Sequence, residues 1–274
     1  MSDDRPDRIA ETFARTRAEG RPALMPFVPA GWPEADATTE IIEAAIAGGA
    51  DIFELGLPFS DPLADGATNQ QAYYEALQQG VTPVTVLENV RELRARGVSI
   101  PIIIMGYINP ILAYGEAFAR DAVEAGVDGL IVVDMPPNEG REIEEPARAA
   151  GLHVIYLVAP TSTEERLQLV AEHAGGFVYC VSLTGTTGAR PRMSEGLDEF
   201  LGRVREHTDL PLAVGFGISE RTHVEQVGAV ADGAVVGSAF VNVVRDTPRN
   251  ERAEAVRAFV EQMSGRASAP VAAS

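Results

Sequence analysis

The segment Glu54-Leu55-Gly56-Leu57-Pro58-Phe59-Ser60-Asp61-Pro62-Leu63-Ala64-Asp65-Gly66 follows an apolar run that includes Ala50, Ile52 and Phe53. The run stops at Glu54, and the thirteen residues from there hold two prolines, two glycines and three carboxylates. Proline and glycine at this density exclude a regular helix or a central strand. The segment therefore reads as a shaped loop opening from the end of a buried strand. Glu54 sits at its root and Asp65 at its far side. Two carboxylates so placed are candidates for proton chemistry. Asp61 and Asp65 also stand in Asp-Pro and Asp-Gly pairs, which form turns. That bland reading is strong for Asp61 and weaker for Asp65.

Outward from this loop the chain alternates. Strands are expected at 23–28, 51–54, 100–105, 129–133, 153–158, 177–182, 212–215 and 234–236, most of them continuous apolar runs, as strands buried on both faces should be. A helix is expected before the first strand, over 6–19, with Ile9 and Phe13 on one face. The others are expected at 38–47 with Thr38 or Thr39 as cap, 70–78, 82–96, 113–125, 138–150, 163–173, 197–207 and 220–227, then a short turn from Ser238 and a last helix over 249–263. Gly-Gly-Ala-Asp, Ala-Gly-Val-Asp and Ala-Asp-Gly-Ala recur around strand starts, like one αβ turn used repeatedly. Eight βα units predict an α/β fold, a single (β/α)8 TIM barrel with an extra N-terminal helix, spanning 1–264, with 265–274 as a disordered tail. The rival, a doubly wound open sheet, would normally carry Gly-x-Gly-x-x-Gly after its first strand. Here that loop is Pro29-Ala-Gly-Trp-Pro33.

Composition excludes several chemistries. The net charge of −18 argues against a nucleic-acid binder. All 22 basic residues are Arg, so a Schiff base on a lysine of this chain is impossible. One cysteine, Cys180, excludes an internal disulfide or a cysteine metal cluster, and the four histidines show no ligand spacing, so no metal is expected. No apolar run reaches membrane-spanning length and no signal-like leader opens the sequence, which points to the cytoplasm. The acidity reads as a solvated surface, suited to a salt-rich cytoplasm.

Barrel active sites lie at the C-terminal ends of the strands. Those ends offer Phe27, Glu54 with Asp65, Tyr107 with Asn109, Asp134, the run Ser182–Arg190, Gly215-Phe-Gly217, and Gly237-Ser238. Asp134 reads as structural. Tyr179 on the sixth strand is either core or a hydroxyl aimed at the site. The glycine-rich segments after strands six, seven and eight predict a monophosphate cradle, since glycines admit backbone N–H groups and a helix start adds a positive dipole end.

The segment Glu54–Gly66 resembles the signature of the tryptophan synthase α subunit family. Similar likenesses run through Met25-Pro-Phe-Val28, Met105-Gly-Tyr-Ile-Asn-Pro110, Tyr179–Gly188, Gly215–Ser219 and Gly237-Ser-Ala-Phe240. The resemblance implies cleavage of indole-3-glycerol phosphate to indole and glyceraldehyde 3-phosphate. It implies no cofactor in this chain, and a β subunit that holds pyridoxal phosphate (PLP) and receives indole in an αββα tetramer. By motif position Glu54 and Asp65 correspond to the two catalytic carboxylates. Phe27, Tyr179, Thr187, Gly188, Gly217, Gly237 and Ser238 fall where the family contacts indole, phosphate or its closing loop, and Tyr107 joins them as a candidate substrate contact. Segments 58–63 and 109–112 fall where the partner docks. Trp32, Asn69 and Thr186 depart from the pattern, Asn69 standing where an apolar residue often faces the indole; none is expected to touch the carboxylates. Two other readings remain: a different phosphate-binding barrel enzyme, and a subunit that only activates its partner.

Overall fold

The computed structural model describes residues 6–181, 196–215 and 217–266. Its strands are β1 (Ala23–Pro29), β2 (Phe53–Gly56), β3 (Ile102–Gly106), β4 (Gly129–Val132), β5 (His153–Ile155), β6 (Leu157–Val158), β7 (Val178–Val181), β8 (Leu212–Gly215) and β9 (Gly233–Val236). All pairs are parallel, in the order β5-β4-β3-β2-β1-β9-β8-β7-β6. The two ends of this sheet, β5 and β6, are pieces of one extended run interrupted at Tyr156. They bring the ends together, so the sheet is a barrel of eight staves. The expected strand 153–158 is thus found in two pieces.

The apolar runs face two ways, as period-two alternation requires. Ala23, Met25, Ile52, Ile103, Ile131, Ile155, Phe177, Tyr179, Ala213 and Val235 fill the barrel interior. Their neighbours Leu24, Val28, Phe53, Leu55, Ile102 and Ile104 pack outward against the helices. The helices are α1 (Arg8–Ala18), α2 (Thr38–Gly48), α3 (Ala67–Gln78), α4 (Pro83–Ala95), α5 (Ile108–Tyr114), α6 (Phe118–Ala125), α7 (Arg141–Ala149), α8 (Glu164–His173), α9 (Leu197–Arg205), α10 (Arg221–Gly228), α11 (Ser238–Asp246) and α12 (Arg249–Ser264).

Helix α1 closes the lower end of the barrel. Ile9 and Phe13 belong to the interior cluster, and the Phe13 ring lies 5.7 Å from that of Phe177. The repeated αβ turn explains how α1 is held. Asp51, Asp128 and Asp232 each accept a backbone N–H from the first or second residue of a nearby strand, Leu24 (3.0 Å), Ile102 (2.9 Å) and Leu212 (2.9 Å). Each also takes a guanidinium from α1: Arg15 to Asp51 (2.7 Å), Arg8 to Asp128 (2.9 Å) and Arg17 to Asp232 (3.0 Å).

Five expectations are corrected. Strand β2 runs on to Gly56, so Glu54 lies within the strand and not at its end. Thr38 is not a cap; Ala37 occupies that position, and Thr38 Oγ1 instead accepts the Gly31 N–H at 2.8 Å, tying down the loop after β1. The helix expected over 113–125 is two helices, because Gly115 at φ +96° ends α5. Helix α3 starts three residues earlier than expected, at Ala67, directly after the loop that holds Asp65. The turn expected from Ser238 is a nine-residue helix. Of the expected tail, Gly265 and Arg266 still complete α12, with the Arg266 N–H on Glu261 O at 3.0 Å; residues 267–274 lie outside the described part.

Candidate active site

Glu54 lies on β2 in register with Phe27 of β1 and Ile103 of β3. It shares the inward face with Ile52, which places its carboxyl above the interior apolar layer, toward the C-terminal mouth. The residue is fully buried, and neither carboxyl oxygen has a hydrogen-bond partner among the described residues. Burial alone pushes its pKa from 4.5 up to about 8. At neutral pH Glu54 is therefore a carboxylic acid.

Asp65 differs. The Tyr107 hydroxyl donates to Oδ2 at 2.6 Å and Asn69 Nδ2 donates to Oδ1 at 3.2 Å. Burial raises its pKa, and both donated hydrogen bonds oppose that shift by favouring the anion. Tyr107 is fixed in turn: its hydroxyl accepts the Ala64 N–H at 3.1 Å, and its ring lies 5.2 Å from that of Phe59. The expectation that no departure touches a carboxylate fails at Asn69. The physical reason is the early start of α3, which puts Asn69 one helical turn beyond Asp65.

Tyr73, another turn along α3, was not among the expected site residues. Its hydroxyl is buried and unpartnered among the described residues, and its ring meets Phe27 edge-on at 6.2 Å. A Cβ on Gly56 would sit 2.9 Å from this hydroxyl and 3.0 Å from Phe27 Cε2, so only glycine fits there. Gly215 plays the same part for Tyr179, whose hydroxyl takes the space a Gly215 side chain would need. Burial raises the pKa of the Tyr73 and Tyr179 hydroxyls, and nearby Glu54 and Asp65 raise them further. Phe27, Glu54, Asp65, Tyr73, Tyr107 and Tyr179 thus cluster at the C-terminal mouth of the barrel.

The glycine segments reach the same mouth. Gly215 of β8 pairs with Val235 of β9, so Gly217 and Gly237, each two residues further on, emerge side by side. Among the described residues nothing lies within 4 Å of where a Cβ on either would point, and Gly217 has a φ of +43°. Gly237 precedes α11, whose first residue is Ser238, so the positive end of that helix faces outward here. Thr187, Gly188 and the rest of 182–195 lie outside the described residues, as does Phe216. Asp134 Oδ1 accepts the Ile108 N–H at 2.8 Å at the start of α5, the structural role expected.

A closed parallel barrel with two desolvated carboxyls at the C-terminal mouth is the architecture of a (β/α)8-barrel enzyme. A family model described as tryptophan synthase alpha chain matches residues 13–269. The tryptophan synthase alpha chain of Roseiflexus sp. (strain RS-1) is 52% identical over 259 residues, covering 94% of this chain and 99% of that one. The alpha chain of Chloroflexus aggregans is 46% identical over 258 residues, covering 94% and 97%. The crystal structure of tryptophan synthase subunit alpha from Legionella pneumophila str. Paris superposes with a TM-score of 0.88 at 36% identity, covering 95% of this chain and 98% of that one. The chain belongs to the tryptophan synthase alpha chain family, a membership that implies a β-subunit partner.

Proposed function

We propose that Glu54 and Asp65 carry out the reaction of this family between them. As a family member the chain cleaves indole-3-glycerol phosphate to indole and glyceraldehyde 3-phosphate, the lyase half-reaction of tryptophan biosynthesis. The observation that carries the assignment is the fully buried Glu54 carboxyl, without a partner among the described residues and protonated at neutral pH.

In this reading Glu54 first acts as an acid and delivers its proton to indole C3. Positive charge develops at the ring nitrogen, where the Asp65 carboxylate accepts the N–H. The Glu54 carboxylate then takes the proton of the C3′ hydroxyl. The O–H electrons form the aldehyde C=O, the C3–C3′ bond breaks, and its electrons restore the neutral indole. Glu54 ends protonated, so the cycle closes without an outside base. General acid–base steps of this kind contribute ~10²–10⁴-fold each. Phe27 and Tyr179 bound the ring pocket. Gly217, Gly237 and Ser238, with the start of α11, cradle the phosphate; Thr187 and Gly188 are assigned to the same end by motif position alone.

The partner's docking surface includes Leu63, 88% exposed, and Leu112, 44% exposed, in the two segments expected to face it. PLP belongs to the β subunit in this reading, since this chain lacks a lysine for a Schiff base, and an αββα tetramer is the assembly it implies. No described helix is long and apolar enough to cross a membrane. The deciding experiment is release of indole from indole-3-glycerol phosphate by the purified chain, with and without a β subunit. Glu54→Gln is expected to lose at least about a hundredfold in kcat. Substantial activity in that variant sinks the mechanism.

A further inference from the structure

Asp65 is gripped from two elements. Tyr107, just past β3, holds Oδ2; Asn69, in the first turn of α3, holds Oδ1. Gln70 Nε2 also fixes the Asp65 backbone carbonyl at 2.8 Å. Each carboxylate oxygen has about two lone-pair directions, so each Asp65 oxygen keeps one for a further donor.

The other end of the Asn69 carboxamide is idle. Its Oδ1 is buried and has no partner among the described residues. A buried, unpaired carbonyl costs stability, which a leucine at the same place would not. Asn89 Oδ1 in α4 and Asn242 Oδ1 in α11 are unpaired in the same way, so what singles out Asn69 is its contact with Asp65. The contact that Asn69 does make is with a carboxylate that the reaction uses. Sites that hold function at the expense of stability show this pattern.

We propose that Asn69 is a positioning residue for Asp65. It keeps the carboxylate ionised and turned so that its free lone pairs meet the ring nitrogen of the substrate. This rests on the reading of Asp65 as the acceptor of the indole N–H. Asn69 and Tyr107 divide the work: Tyr107 ties Asp65 to the barrel wall, and Asn69 ties it to the helix that begins beside it. The opposition of the Asn69 hydrogen bond to the burial-driven rise of the Asp65 pKa is consistent with that role.

The test compares Asn69→Leu and Asn69→Gln with wild type, purified and assembled with the β subunit, using indole-3-glycerol phosphate. Asn69→Leu is expected to melt at or above the wild-type temperature. Its kcat/KM should fall about tenfold, and the acid limb of its pH profile should move up by about one unit, because one donated hydrogen bond to an anion is lost. Asn69→Gln, which keeps a donor, should recover part of the shift. An unmoved acid limb in Asn69→Leu overturns the proposal, whether its activity is intact or falls in step with its stability. Asp65→Asn separates the two layers of inference. If Asp65→Asn turns over like wild type, the nitrogen-acceptor reading itself is wrong. If it is inactive while Asn69→Leu keeps the wild-type pH profile, only the positioning role is wrong.

Discussion

Replacing Glu54 by glutamine should make the protein more stable, and by an amount that depends on pH. The unfolded chain ionises this carboxyl at its ordinary pKa of 4.5, whereas the folded one holds its proton to about 8. Between those values folding requires proton uptake, so the unfolded state binds fewer protons than the native one. Stability then falls with rising pH at about 1.4 kcal/mol per unit for this group alone. The contribution is fully favourable below pH 4.5, declines through the window, and levels off above pH 8 once the native carboxyl ionises too. Over the two and a half units from 4.5 to neutral the loss is about 3 kcal/mol. Glutamine has the shape of the protonated acid, is equally unpaired in this pocket, and does not titrate. The variant should therefore exceed wild type by about 1 kcal/mol at pH 5 and about 3 kcal/mol at pH 7. For a chain of this length the latter raises Tm by about 6–12 °C. Urea titrations of both proteins, ligand-free and at fixed ionic strength from pH 5 to 8, read the difference directly. A stability gap that stays constant across that range, or has the opposite sign, refutes the reasoning, because it would mean that the Glu54 carboxyl finds a partner or water in the folded protein.

Three further outcomes follow from the same geometry. Because the proton on Glu54 starts the reaction, kcat/KM for indole release should be level between the acid limb set by Asp65 and pH 8 and drop tenfold per unit above pH 8; a profile flat from there to pH 9.5 contradicts a Glu54 pKa of about 8 in the free protein. Gly215→Ala puts a methyl group into the space of the Tyr179 hydroxyl, and should cost about 1–3 kcal/mol by urea titration together with a raised KM, whereas an unchanged KM would show that Tyr179 does not border the substrate. Asp51→Ala orphans the buried Leu24 N–H and removes the acceptor of Arg15 and Arg21, for a loss of about 3 kcal/mol, with kcat kept in the protein that remains folded.

Glu54 was legible because its signal is local. An apolar run that ends in an acid and then breaks into proline and glycine can be read without knowing what packs nearby. Its tyrosine neighbours were not legible, since Tyr73 and Tyr179 stand 19 and 125 residues away in sequence. The eight-stave barrel was legible from the alternation of apolar runs and amphipathic helices. The interruption at Tyr156 was not, because His153–Val158 is apolar enough to read as one strand. The contact of Asn69 with Asp65 and the place of Tyr73 were missed for a common reason. Ala67-Thr68-Asn69 holds two residues of modest helix preference behind a glycine cap that makes no side-chain hydrogen bond, so the start of α3 read late. Once the helix begins at Ala67, the spacing 65, 69, 73 places Asn69 and Tyr73 one and two turns beyond Asp65. That start also sets Asp65, read from the sequence as the far side of a shaped loop, directly before a helix. With both its oxygens held, it stands in place before substrate arrives.

The two ends of the barrel use carboxylates in opposite ways, and the contrast separates fold from function. At the lower end Asp51, Asp128 and Asp232 each receive a strand N–H and at least one arginine, and all three come from the same repeated turn. Such groups are charged and satisfied, and they hold α1 over the interior. At the upper end Glu54 is buried with no donor among the described residues, and Asn69 Oδ1, next to Asp65, and the Tyr73 hydroxyl are unpaired among them too. Each unpaired group costs about 1–3 kcal/mol, which nothing in the fold requires at this place. Acidity alone therefore does not mark the site in a chain with 40 carboxylates. What marks it is the carboxyl left without a partner, where substrate must supply what the protein withholds.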